Sequence, residues 1–235
     1  MLHFTHEPLV RRNTVLGRVL SFGGLGVLVI ALLLSLARPE MIGLVLPVSL
    51  VGMLASQFGS VLLTRWSRRD RADLLLDEAL KGLDGRYTLC HYLLGIHHVL
   101  LGPAGILALV PRSELGLVQR KDGRWWITGY RRGRLQNKRR ELFGIDDEAE
   151  AAAKRLRQRL EKLAGDHPEW TVTPVVVFLA EGTRLESEES DPAAIHLKKL
   201  KEFVRKMPRR PGPNEADVAK MKERFPGSSR SRRQA

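Results

Sequence analysis

The 235-residue chain contains a single cysteine, Cys90, which excludes an intramolecular disulfide and any multi-cysteine zinc site. It has no glycine-rich nucleotide-binding motif and no nucleophile–base pair in a recognisable context. Charge is missing from two long stretches. Val19–Leu36 runs for eighteen residues and Met41–Thr64 for twenty-four without an ionisable side chain. A bilayer-spanning helix needs about 20 apolar residues, so both stretches qualify. Only Ala37-Arg38-Pro39-Glu40 separates them, which predicts a tight antiparallel hairpin. No row of ionisable groups lines either stretch, which argues against a channel or transporter. Gln57 is the one strongly polar side chain, expected to bond across the hairpin. Glycines 23, 24, 26, 52 and 59 would permit close helix contact.

A cleaved signal peptide is the competing reading of the first stretch, but its apolar core is too long and a second follows almost at once. Arg11, Arg12 and Arg18 precede the first stretch, and Arg65, Arg68, Arg69 and Arg71 follow the second. The positive-inside rule therefore predicts a multi-pass protein of the cytoplasmic membrane, with residues 1–18 as a basic N-terminal segment and both chain ends in the cytoplasm.

The formal charge of +13 is unevenly spread. Residues 1–71 hold eight Lys/Arg against three acids, residues 205–235 ten against three, and residues 72–204 twenty-one against twenty. The excess at the ends predicts attraction to a surface, with the lipid bilayer and its anionic headgroups as partners.

From Ala72 to Leu83 the apolar residues recur at helical spacing, with Asp77, Glu78 and Lys81 on the wet side. Strands are expected at 86–92, 96–101, 105–110, 115–121 and 124–130. Gly102-Pro103-Ala104-Gly105 turns one pair and Asp122-Gly123 another. Asp146–Ala164 reads as a helix with acids in its first turn and bases further along. Val175–Leu179 is a buried strand and His196–Lys206 a short helix. Residues 207–235, rich in proline, serine and arginine, are expected to form a disordered basic tail. The order is that of an α/β domain over 72–206, a mixed sheet flanked by helices.

Ile96-His97-His98, three apolar residues, Gly102-Pro103-Ala104-Gly105 and the apolar run ending at Val110 resemble the core motif of the nuclease-related domain (NERD) family, roughly I-D-H, G-P-x-G and I-E-x-K. The resemblance implies a restriction-endonuclease-like fold. It also places His97 where that family has Asp, Val110 where it has Glu, and Arg112 where it has Lys. Valine cannot hold a metal ion, a lone imidazole is a poor Mg²⁺ ligand, and arginine does not titrate as a base. The expectation is a catalytically degenerate site, with no metal and no cofactor, in a binding or scaffold module. The alternatives are a working nuclease that recruits other carboxylates, such as Asp73, Asp77 or Glu114, and a membrane-tethered nucleic-acid binder.

That last alternative would use the most basic segment of the domain: Arg131, Arg132, Arg134, Lys138, Arg139 and Arg140, which can contact nucleic-acid or lipid phosphate. The plain reading of the same segment is a solvated loop before a helix. His91, His97 and His98 lie on neighbouring expected strands. His97 and His98 face opposite sides, so only one can join His91. That pair is either a two-histidine transition-metal site or a hydrogen-bonded structural pair with His97 partly exposed.

Overall fold

The computed structural model describes residues 1–67, 71–131, 134–165, 167, 169–186, 190–223 and 229–230, with the side chains of 130–138, 215, 222, 223, 229 and 230 left undescribed. The chain divides into two compact units: Glu7–Arg71, and Met1–His6 together with Ala72–Ala235.

The first unit is a helical hairpin. Helix α1 spans Glu7–Ala37, a short 3₁₀ turn covers Pro39–Met41, and α2 spans Ile42–Trp66. Both helices are long and apolar enough to cross a membrane. Among the described residues, twenty of the twenty-two exposed large hydrophobic side chains lie on this hairpin, including Phe22, Leu36 and Phe58. A core helix of a soluble protein would bury such side chains. Contact between the helices is made by small residues. A Cβ on Gly59 would come within 2.2 Å of Ser21 N, and one on Gly24 within 2.5 Å of Ser56 N, whereas Gly23 and Gly26 face open space. The expected glycine interface therefore reduces to one face, Gly24, Gly52 and Gly59, joined by Gly17. Gln57 is exposed, and hydroxyl contacts across the hairpin are made by Thr14, donating to Trp66 O at 3.2 Å, and by Ser21 with Ser60 at 3.5 Å.

The second unit is a mixed α/β domain. Its strands are β1 Leu2–Thr5, β2 Thr88–His91, β3 His98–Gly102, β4 Gly105–Arg112, β5 Leu117–Lys121, β6 Arg124–Arg131, β7 Arg134–Leu142, β8 Val172–Phe178, β9 Arg184–Glu186, β10 Ala193–His196 and β11 Ser229–Arg230. Its helices are α3 Ala72–Ala79, α4 Ile145–Ala164, α5 Leu197–Lys206 and α6 Glu215–Glu223. The larger sheet has the order β10-β8-β4-β3-β2-β1-β11, and the smaller β7-β6-β5-β9. The Gly102–Gly105 turn joins β3 to β4 as expected, with Gly105 at φ 87°, a conformation natural only to glycine.

The central strands are apolar on both faces because helices cover both. On one face Val99, Leu101, Ile106 and Ala108 pack with Leu156 and Leu160 of α4. On the other, Leu89, Leu100, Leu107 and Leu109 pack with Leu76 and Leu80 of α3 and Leu200 and Val204 of α5. A third cluster joins the two sheets through Val110, Val176 and Phe178 on one side and Val118, Trp125 and Ile127 on the other.

Three expectations are corrected. Residues 1–18 are not one segment: Leu2–Thr5 pair in parallel with Thr88–His91 inside the large sheet, and α1 already begins at Glu7. The basic stretch after Arg131 is not a loop; β7 pairs antiparallel with β6, Trp125 opposite Leu142 and Ile127 opposite Arg140. Nor is 207–235 a free tail throughout. Arg210 N–H donates to Pro103 O at 3.0 Å, and α6 buries Val218 and Met221 against the cluster that holds Leu156. Residues 224–228 and 231–235 lie outside the described residues.

Candidate functional site

The domain's most developed polar cluster is a chain of side chains on the face of the large sheet covered by α3. Strand alternation puts His3, His91 and His98 there: His91 is opposite Thr5 in β1 and opposite His98 in β3. Asp77 comes from α3. Its Oδ1 lies 2.5 Å from His3 Nδ1 and 3.1 Å from His91 Nε2. His91 Nδ1 is in turn 2.7 Å from His98 Nδ1. His91 and His98 are buried, while Asp77 keeps about a quarter of its side chain exposed, 26%.

Burial works against the charge on Asp77, yet the hydrogen bonds and charges of His3 and His91 outweigh it and hold the carboxyl well below the usual carboxylate range. Burial pushes His98 well below the ordinary imidazole range, and the neighbouring His91 and His97 push the same way. His98 is therefore held neutral, and the 2.7 Å contact leaves room for a single hydrogen between the two Nδ1 atoms. Tyr92 closes this end. Its backbone is left-handed at φ 62°, its N–H donates to His97 O at 2.8 Å, and its ring stands edge-on to His97 and His98.

The network offers an anionic carboxylate and a proton held between imidazoles; the chain's single thiol, Cys90, packs in the cluster on the opposite face. Of the two sequence readings of the His91 pair, the hydrogen-bonded structural one fits, with His98 the partner and His97 exposed. Among the described residues no group of three or more His, Cys, Asp or Glu has an arrangement able to hold a metal ion. What the geometry does is fasten. One carboxylate ties β1, which leads into the helical hairpin, to α3 and β2.

His97, Val110 and Arg112 do not come together as a site. His97 is exposed in the β2–β3 connection. Val110 is buried in the cluster joining the two sheets. Arg112 is clamped by two carboxylates, Nη2 to Glu114 Oε1 and Nη1 to Glu148 Oε2, both at 2.6 Å. Arg120 and Trp125 make a similar anchorage in the same turn of α4. Arg120 Nη2 lies 3.1 Å from Asp146 Oδ2, and Trp125 Nε1–H donates to Asp146 Oδ1 at 2.6 Å. The acids of the first turn of α4 thus serve the helix dipole and bind side chains of both sheets.

In the basic segment, Arg139 and Arg140 are exposed, and the Arg139 guanidinium lies 4.7 Å from the Trp126 ring centre. Arg132 lies outside the described residues, as do the side chains of Arg131, Arg134 and Lys138. His3 and Asp77 are the members that sequence reasoning missed as partners of His91. Their signal is weak: a four-residue strand at the chain start and a helix carboxylate that reads as solvent-facing.

The fold and this cluster define a mixed α/β domain carrying two long apolar helices inserted after its first strand. No family model matches the chain, and no curated protein or solved structure matches it.

Proposed function

We propose that the protein is a membrane-anchored, cytosol-facing module of NERD-like type that binds or scaffolds rather than cleaves. The observation that carries this reading is the environment of Val110 and Arg112. The position where the resemblance expects a metal-binding acid is an aliphatic side chain inside an apolar cluster, and the position of the expected lysine is an arginine already occupied by Glu114 and Glu148. Of the alternative carboxylates, Asp77 is engaged by two imidazoles and Glu114 by Arg112.

Membrane anchoring draws support from the exposed apolar surface of α1 and α2. A cytosolic position for both ends draws support from the arginines flanking the hairpin and from β1 pairing with β2. A sheet cannot be divided by a bilayer, so a spanning hairpin entered from β1 must return its chain to the same side.

The test uses the full chain in nanodiscs with Mg²⁺ or Mn²⁺ and labelled DNA and RNA. No cleavage is expected above a metal-free control. Metal-dependent cleavage that disappears on Asp77→Ala or Glu114→Ala, in protein that still folds, would overturn the non-catalytic reading.

A further inference from the structure

The domain's near-neutral total hides a separation of charge. Residues 117–142, the segment of β5, β6 and β7, hold nine Lys/Arg against Asp122 and Glu141, a net of +7, while the rest of 72–204 is net −6. A domain stretch that totals only +1 over 72–204 therefore carries +7 on the segment that forms β5, β6 and β7. At one end of that sheet the β5–β6 turn presents Lys121 and Arg124, both exposed. Leu142 pairs with Trp125, so the chain leaves β7 at Phe143 beside that turn. Gly144, at φ 71°, then redirects it into α4. Phe143 is left 78% exposed, more than any large hydrophobic residue of the apolar hairpin, where Leu36 reaches 73%. A phenylalanine standing clear of a folded domain among cations meets the two requirements of an interfacial anchor: apolar surface to bury and positive charge to draw it down.

We propose that this corner, Phe143 with Lys121, Arg124 and Arg139, which share the outer face of the sheet, is a second attachment of the domain to anionic bilayer. The inference rests on the reading that α1 and α2 lie in a membrane. Because hairpin and domain are one chain, the domain is held near that bilayer at high effective concentration, and one aromatic side chain suffices where a free domain would need more. The acidic remainder of the domain is repelled by the same surface, so the charge separation also orients the domain. Asp122, Glu141 and Asp147 oppose the attraction locally, but the whole sheet outweighs them. Single-stranded nucleic acid would meet the same cations and the Trp126 ring, but only the lipid is kept near the domain by the chain itself.

The experiment labels Phe143→Cys with an environment-sensitive fluorophore in the full chain, in phosphatidylcholine nanodiscs with and without phosphatidylglycerol, some carrying a lipid-borne quencher. Cys90 is buried and stays unlabelled. Val29→Cys, on α1, reports hairpin insertion in a parallel sample. Expected is quenching of both labels, the label at 143 only in anionic discs, with Arg124→Ala and Arg139→Ala each cutting its bound-to-free ratio about fivefold. Quenching at 29 without quenching at 143 overturns the anchor and leaves the membrane reading intact. Quenching at neither overturns both. A label at 143 that ignores lipid but changes emission with added single-stranded oligonucleotide overturns the anchor in favour of nucleic acid.

Discussion

His91 Nδ1 lies 2.7 Å from His98 Nδ1, a contact between two buried rings in which only one can supply the hydrogen. Two imidazolium rings would place two N–H groups against each other, so the pair carries at most one positive charge. Burial, with His91 and His97 nearby, keeps His98 neutral well below the usual imidazole range. The unfolded chain therefore binds more protons below about pH 6.5 than the folded chain does at this site. Stability should fall as pH drops from 7 to 5. Asp77 acts in a different window. Its lowered pKa contributes stability above about pH 3.9 that is lost only as pH falls further. Thermal midpoints in detergent at pH 7, 6 and 5 should decline for the parent and flatten in His98→Gln. An unchanged slope would refute the assignment to His98.

Asp77 accepts from both His3 and His91, so its removal should release β1. Asp77→Leu should cost about 1–3 kcal/mol, since two partners lose their acceptor in a partly exposed site. Amide hydrogen exchange of residues 2–5 should accelerate well before the rest of the sheet. Asp77→Asn, which keeps one acceptor oxygen, should fall between. Asp84→Asn, at an exposed carboxylate bonded to Arg86, should stay within about 0.5 kcal/mol of the parent. Equal protection of residues 2–5 in Asp77→Leu would show that β1 is held without the carboxylate.

The parts of the fold that were legible in the sequence are those whose signals are local. Gly102–Gly105 and Asp122-Gly123 mark hairpins because proline presets φ and glycine admits the positive φ these turns need, and α4 shows in its charge order and apolar stripe. The parts that were not legible depend on partners distant in sequence. Leu2–Thr5 is too short to announce a strand and becomes one only beside β2, more than eighty residues away. β7 carries too many cations to look like a strand, yet an edge strand accepts them, and they also discourage pairing with another chain. α6 has little apolar surface and folds where α4 supplies the rest of the cluster. In the candidate site, the pairing of His91 with His98 follows from strand alternation. His3 and Asp77 could not be assigned, because neither residue has a local reason to meet an imidazole.

Val110 allows a direct test of whether the acid of the resembled motif could be restored. Its side chain packs among Val176, Phe178 and Trp125 in the cluster between the sheets. Val110→Glu would place a carboxylate in that apolar cluster, beside an Arg112 already paired on both Nη atoms. An uncompensated buried charge costs about 3–5 kcal/mol. The expected outcome is a destabilised protein with no metal-dependent cleavage, read by denaturant unfolding and by the nanodisc cleavage assay. A stable Val110→Glu protein that gains Mg²⁺-dependent cleavage would mean the frame retains a working metal site.

The hairpin makes the sharpest distinction among its glycines. A Cβ at Gly59 would meet Ser21 backbone at 2.2 Å, and backbone cannot turn aside as a side-chain tip can. At Gly26 an added Cβ meets nothing within 4 Å. Close approach of small residues holds paired helices together where lipid supplies no hydrophobic drive. Gly59→Val should therefore separate the helices at a cost of about 1–3 kcal/mol, while Gly26→Val should leave them in place. Ser21 and Ser60 face each other across the interface at 3.5 Å, so cysteines at these two positions report the contact. Their disulfide should form in the parent and in Gly26→Val and be lost in Gly59→Val. Efficient cross-linking in Gly59→Val would mean that the helices do not pack through this face.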